Sequence, residues 1–153
     1  MATILITYHS QSGNTEQMAH AVAKGAREIA DTTVIIKRAF DTGVEDLIAC
    51  DGLVIGSPEY FGYMAGAVKD LFDRTYEVLR GHQRIFRKPV AMFISAGNDG
   101  SGALRNMEKL CIGYQFKKVH EAIVSKGPVT DATLAHCEEL GRIMAAGCGT
   151  DIF

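Results

Sequence analysis

Thr3-Ile4-Leu5-Ile6-Thr7-Tyr8-His9-Ser10-Gln11-Ser12-Gly13-Asn14-Thr15-Glu16 joins a short apolar, β-branched run to a segment that is polar at every position except Gly13. Beyond it, Met18, Val22, Gly25 and Ile29 recur at i, i+4, i+7 and i+11, the period of one helix face. The stretch therefore reads as a buried strand, a polar turn and an amphipathic helix. Backbone N–H groups at a helix N-terminus point outward and carry partial positive charge, and Gly13 lets another group approach closely. Hydroxyl and amide side chains can then close around an anion's oxygens, so the turn is a phosphate-sized cradle that needs no lysine or arginine. The same residues also read as an ordinary capped helix start, with Ser12 or Asn14 as N-cap.

Other phosphate-binding loops fit less well. The segment matches neither G-x-x-x-x-G-K-[ST] nor G-x-G-x-x-G, which removes the usual ATP and dinucleotide readings. It holds no cysteine nucleophile with a clamping arginine, as a small phosphatase would need. A receiver-type site would need acids after the first strand and an aspartate ending the third, where this chain has Tyr8-His9 and Ser57-Pro58.

Outward from this stretch, apolar runs recur at Thr3–Tyr8, Thr33–Ile36, Gly52–Ile55, Val90–Ile94 and Val119–Val124, with helical patterns between most of them. Met64, Val68, Leu71, Phe72, Thr75 and Leu79 form one stripe, with Lys69, Asp70, Asp73 and Arg74 opposite. The Val44–Cys50 segment is a weaker, shorter helix. Further helices are predicted over Ser101–Ile112 and Asp131–Ala146, the last placing Leu134, Cys137, Leu140 and Met144 on one face. Alternating strands and helices imply right-handed crossovers and an α/β, three-layer, doubly wound, five-stranded parallel sheet covered on both faces. With 153 residues and 47% apolar content, the whole chain, 1–153, is expected to form a single domain.

In such sheets ligands bind beyond the carboxyl ends of the strands. The loop after strand three, Ser57-Pro58-Glu59-Tyr60-Phe61-Gly62-Tyr63-Met64, brings three aromatics to that end, enough to stack a flat ring system. The loop after strand four, Ser95-Ala96-Gly97-Asn98-Asp99-Gly100-Ser101-Gly102, carries three glycines and can offer N–H groups to the polar edge of a heterocycle. It reads equally as a flexible turn with Ser101 capping the next helix.

Global properties narrow the partners. Eighteen acids against sixteen bases leave a net charge of −2, which advertises neither nucleic acid nor a membrane surface. No apolar run is long enough to span a bilayer, and the N-terminus resembles a strand rather than a signal peptide. Cys50, Cys111, Cys137 and Cys148 make no C-x-x-C pair, so they read as small apolar residues in a reduced, cytoplasmic setting, with Cys148 the most exposed. The five histidines show no metal-binding spacing, and no metal site is expected. Arg80, His82, Arg84, Arg87 and Lys88 read as a solvated basic loop.

The three loops in this order resemble the flavodoxin-like superfamily, in particular its short-chain flavodoxins and FMN-dependent NAD(P)H oxidoreductases. Ser10–Thr15 is similar to the family phosphate loop, and Gly56-Ser57-Pro58 through Gly62-Tyr63-Met64-Ala65-Gly66 to its second flavin loop. The resemblance covers nearly the whole chain and implies strand order 2-1-3-4-5, non-covalent FMN as the reactive centre, and no side-chain catalyst. It implies that Ser10, Ser12, Asn14 and Thr15, with the amides of Gln11 and Gly13, hold the phosphate. Pro58, Glu59, Tyr60, Phe61 and Gly62 would border the ring on one side, and Ser95, Gly97, Asn98, Asp99 and Gly102 on the other. An uninterrupted last strand, Phe116–Val124, matches the short type. Three functions remain open: an NAD(P)H-dependent reductase of quinones or similar acceptors, a one-electron carrier between protein partners, or an interaction module that has lost flavin. The modest net charge favours the reductase, because carriers of this family are strongly acidic. The partner would be a small-molecule or protein redox partner, and the aromatics of Tyr60–Tyr63 would also suit pairing of subunits into a homo-oligomer.

Overall fold

A computed structural model describes residues Met1–Phe153. Its strands and helices alternate as β1 (Ala2–Tyr8), α1 (Asn14–Arg27), β2 (Thr32–Arg38), α2 (Val44–Ala49), β3 (Gly52–Tyr60), β4 (Tyr63–Met64), α3 (Gly66–Leu79), β5 (Pro89–Ala96), α4 (Ser101–Gly113), β6 (Lys117–Lys118), β7 (Ile123–Lys126) and α5 (Asp131–Gly149). The main sheet runs β2-β1-β3-β5, followed by β6 and β7, which both pair with β5. Every pairing is parallel except β3 with β4. With β6 and β7 sharing the last position, this is the doubly wound order 2-1-3-4-5.

The sheet holds seven strands rather than the five expected. One extra strand is β4, a two-residue return of the chain onto β3. The other arises because the last strand is broken. Val90 pairs with Lys118, an offset of 28, whereas Phe93 pairs with Ile123, an offset of 30. Two extra residues must bulge out between them, and apolar content alone does not register such a bulge. Strands three and four also extend beyond their apolar runs: Ser57, Pro58, Glu59 and Tyr60 belong to β3, and Ser95 and Ala96 to β5.

Alternation along each buried strand divides the core. Leu5, Leu53, Ile55, Val90, Met92 and Ile94 pack with α2, α3 and α4 on one face. Ile4, Ile6, Val54, Ala91 and Phe93 pack with α1 and α5 on the other. All six residues of the predicted stripe are buried, five of them in α3 and Met64 in β4 just before it, as are Cys137, Leu140 and Met144 of α5. Helices α1 and α5 touch through glycines. A Cβ on Gly25 would lie 1.8 Å from the Glu138 carbonyl oxygen, and one on Gly141 would lie 2.0 Å from that of Val22.

The basic stretch is not simply solvated. Lys88 is buried and donates to the Cys50 carbonyl, and Arg84 donates to the carbonyls of Ile48, Ala49 and Cys50 and to Asp51. Both cations thereby satisfy carbonyls at the C-terminal end of α2. They border a polar cavity of about 230 Å³ with Phe86, Cys148 and Phe153, away from the carboxyl ends of the strands. Cys148 is half-buried, and burial pushes its thiol up to about 11.

Candidate functional site

The parallel order brings the ends of β1, β3 and β5 side by side, and the three unusual loops leave from them. Adjacent pairings continue to the rim: Tyr8 pairs with Gly56, Pro58 with Ser95, and the His9 N–H donates to the Gly56 carbonyl at 3.2 Å.

In the first loop Gly13 takes a left-handed conformation, φ 104°, and α1 begins at Asn14. Gly13, rather than Ser12 or Asn14, is therefore the N-cap. Ser10 completes the helix start, its Oγ accepting from the Glu16 N–H at 3.2 Å. The N–H groups of Gln11, Ser12, Gly13, Asn14 and Thr15 have no acceptor in the protein. Five consecutive donors at a helix N-terminus make a concentrated anion-binding surface. The Ser12 and Gln11 side chains are exposed, and Asn14 is half-buried. Thr15 differs: its buried hydroxyl bonds the Ser95 hydroxyl at 2.7 Å, which ties α1 to the end of β5 beneath the cradle. The Thr15 N–H remains free of any protein acceptor.

The second loop is a tight hairpin. Glu59 and Tyr60 pair with Met64 and Tyr63, and the two residues between, Phe61 and Gly62, have φ of 52° and 71°. Paired positive φ values match the twist of the flanking strands. For Phe61 this conformation costs about 1–2 kcal/mol, yet its ring is 106% exposed. The fold spends backbone energy to present an aromatic ring to solvent beside the cradle. Ser57 Oγ, fully buried, accepts from the Ala65 N–H at 2.9 Å and fixes the return of the hairpin.

The third loop is fastened to the second. Glu59 Oε2 accepts from the Ala103 N–H at 3.0 Å, so its carboxylate satisfies an orphan donor at the start of α4. Gly102 lies against the hairpin: a Cβ there would fall 1.9 Å from the Gly62 carbonyl oxygen. The cap of α4 is Gly100, φ 72°, not Ser101. Asp99 instead accepts from both the N–H and the hydroxyl of Ser101, and those bonds hold its carboxyl below the usual range. Gly97 and Asn98 are exposed at the rim, and Pro58 is buried in β3.

The structure adds residues that the sequence pattern passed over. Arg38, at the end of β2, pairs with Glu16 at 2.6 Å, donates to the Ser10 carbonyl at 3.1 Å and lies over the Tyr8 ring. Phe40, 65% exposed, meets the His9 ring edge-on, as does Tyr60 from the other element, each at 6.1 Å. The available signal was positional: in the order 2-1-3, the end of strand two lies beside the first loop.

Partial burial first, and then the Arg38 charge, hold His9 below the ordinary imidazole value of 6.5. Its neutral form is therefore favoured by folding. That contribution is present above pH 6.5 and is lost as the pH falls through the lowered folded value. Arg38→Met is expected to move the His9 titration upward, read from its ring protons by NMR. An unmoved titration would remove Arg38 as a cause.

Comparison with known proteins gives the family. The model of the NADPH-dependent FMN reductase family matches residues 2–129, and the chain belongs to that family. It is 31% identical to a flavodoxin of Aquifex aeolicus, over 95% of this chain and 86% of that protein. It is 30% identical to an NAD(P)H dehydrogenase (quinone) of Acidithiobacillus ferrooxidans, over 98% of this chain and 83% of that protein. Among solved structures, a flavodoxin from the domain Archaea superposes with a TM-score of 0.82 at 23% identity, covering 96% of this chain and 99% of that one. The flavodoxin WrbA-like protein from Agrobacterium tumefaciens superposes at 0.81 with 20% identity, over 98% and 99% of the two chains. FMN is accordingly the cofactor against which the three loops are read.

Proposed function

We propose that this member of the NADPH-dependent FMN reductase family holds FMN non-covalently at the ends of β1, β3 and β5 and uses it as an NAD(P)H-dependent reductase of quinones or similar acceptors. The observation that carries the reading is the run of five N–H groups, Gln11–Thr15, without a protein acceptor. A phosphate monoester dianion suits such a run, and the side chains of Ser10, Ser12 and Asn14 flank it. Tyr60 and Phe61, on the hairpin at the end of β3, offer aromatic faces for a flat ring attached to that phosphate through a short chain.

Bound FMN supplies the hydride-accepting and electron-donating centre. The chain's own residues bind and orient it. The cradle fixes the phosphate end, while the Glu59 carboxylate and the Gly62–Gly102 contact hold the two ring-side loops in one arrangement. Pre-arranged walls lower the ordering cost of binding. The exposed Phe61, Phe40 and Tyr63 leave an apolar approach for a planar acceptor.

A carrier function is the second reading, favoured by the relative from Aquifex aeolicus, a flavodoxin. The two separate in one experiment: FMN is added, unbound flavin is removed, and the visible spectrum is followed after NADH and then NADPH, with and without a soluble quinone. Retained flavin that bleaches with a nicotinamide and regains colour with quinone is the expected result. Retained flavin that ignores both nicotinamides favours the carrier. A colourless protein overturns the FMN reading.

A further inference from the structure

Five contacts converge on one surface cluster beside the cradle. Arg38 Nη2 meets Glu16 Oε2 at 2.6 Å, and its Nη1 donates to the Ser10 carbonyl at 3.1 Å. The Arg38 guanidinium carbon stands 5.4 Å from the centre of the Tyr8 ring, and the Tyr8 hydroxyl donates to the same Glu16 oxygen at 3.0 Å. The Glu16 N–H in turn donates to Ser10 Oγ.

Two physical consequences follow. A trans peptide is planar, with its C=O and N–H pointing in opposite directions. Holding the Ser10 carbonyl outward on Arg38 therefore turns the Gln11 N–H the other way, the first of the five unpartnered donors. The second consequence is electrostatic. Glu16 sits in the first turn of α1, where its negative charge suits the helix dipole but opposes an anionic ligand at the same N-terminus. Arg38 and the Tyr8 hydroxyl engage that carboxylate and cancel much of its field.

We propose that Arg38 is a positioning residue for the phosphate cradle, setting the preference for phosphorylated over unphosphorylated flavin without touching the phosphate. The inference rests on the FMN-binding reading above. It assigns a specific task to a residue on β2, a strand outside the three from which the cradle and ring-side loops leave.

The test is a pair of fluorescence-quenching titrations, FMN and riboflavin, against the full-length chain and its Arg38→Met, Arg38→Lys and Arg38→Met/Glu16→Gln variants, with folding checked by circular dichroism. Arg38→Met is expected to weaken FMN binding by about tenfold, the scale of a lost charge-assisted hydrogen bond. Riboflavin binding should stay within about twofold, because it has no phosphate to lose. Arg38→Lys keeps the charge beside Glu16 but cannot fork to the carbonyl, so it should recover part of the loss. Removing the Glu16 charge in the double variant should also recover part. If Arg38→Met folds and leaves the FMN-to-riboflavin ratio unchanged, whether both affinities hold or both fall, the positioning role is wrong. Failure of the unaltered chain to bind FMN would instead overturn the reading on which it rests.

Discussion

Gly102→Ala is expected to loosen the ring side of the site and cost the fold about 2 kcal/mol, the range of overpacking in a tight contact. The added Cβ would lie 1.9 Å from the Gly62 carbonyl oxygen and 2.7 Å from its carbon. Those are backbone atoms of the hairpin turn, so no side-chain rotation can absorb the clash. Either the hairpin or the start of α4 must move, and the Glu59–Ala103 bond joins them only 3.0 Å apart. Flavin affinity should fall by about tenfold or more, since Tyr60 and Phe61 move with the hairpin. Urea denaturation and an FMN titration of the variant measure both effects. Unchanged affinity with unchanged stability would mean that the two loops do not depend on this contact.

Gly141→Ala should produce a larger loss of stability by acting on the opposite layer. In an exposed helix the substitution would gain about 1 kcal/mol from helix propensity. Here a Cβ would stand 2.0 Å from the Val22 carbonyl oxygen and 2.7 Å from the Ala26 nitrogen, both in the backbone of α1. Helices α1 and α5 would have to separate across a face that buries Met18, Val22, Cys137, Leu140 and Met144. We expect a net loss of about 2–3 kcal/mol, or roughly 5–10 °C in melting temperature for a chain of this size. Gly25 makes the reciprocal contact with Glu138, and the double variant should lose less than the sum, because once one change has separated the pair the other finds part of its room already made. A Gly141→Ala protein as stable as its parent would show that the helices can slide to make room. The phosphate cradle opens α1, so a shifted helix should also weaken FMN binding.

Particular residues show how far local pattern reaches. The α3 stripe from Val68 to Leu79 is legible because burial of one helix face imposes its own period, and all five of its residues are buried; Met64, on the same spacing and also buried, belongs to β4 instead. The ends of strands were less legible. Polar residues such as Ser57 and Ser95 look like loop, yet neighbouring strands supply their backbone partners and the hydroxyls find buried mates in Ala65 and Thr15. The broken last strand escaped for a related reason, since two bulged residues leave the apolar content of Val119–Val124 unchanged. Lys88 looks solvated in the sequence because no spacing reveals that the carbonyls of a helix end await it.

By itself, then, the amino-acid sequence determined the alternation of strands and helices, the parallel doubly wound sheet, and the three loops placed at one end of it. Each of these follows from periodicity and turn chemistry within a few consecutive residues. Tertiary structure alone decided what those loops do to one another: Thr15 bonds Ser95, Glu59 caps α4, Gly102 yields space to Gly62, and Arg38 reaches across from β2 to Ser10 and Glu16. These contacts join residues between 22 and 80 positions apart. Their partners are chosen by which strand ends lie adjacent in the sheet, and strand order is a property of the packed whole.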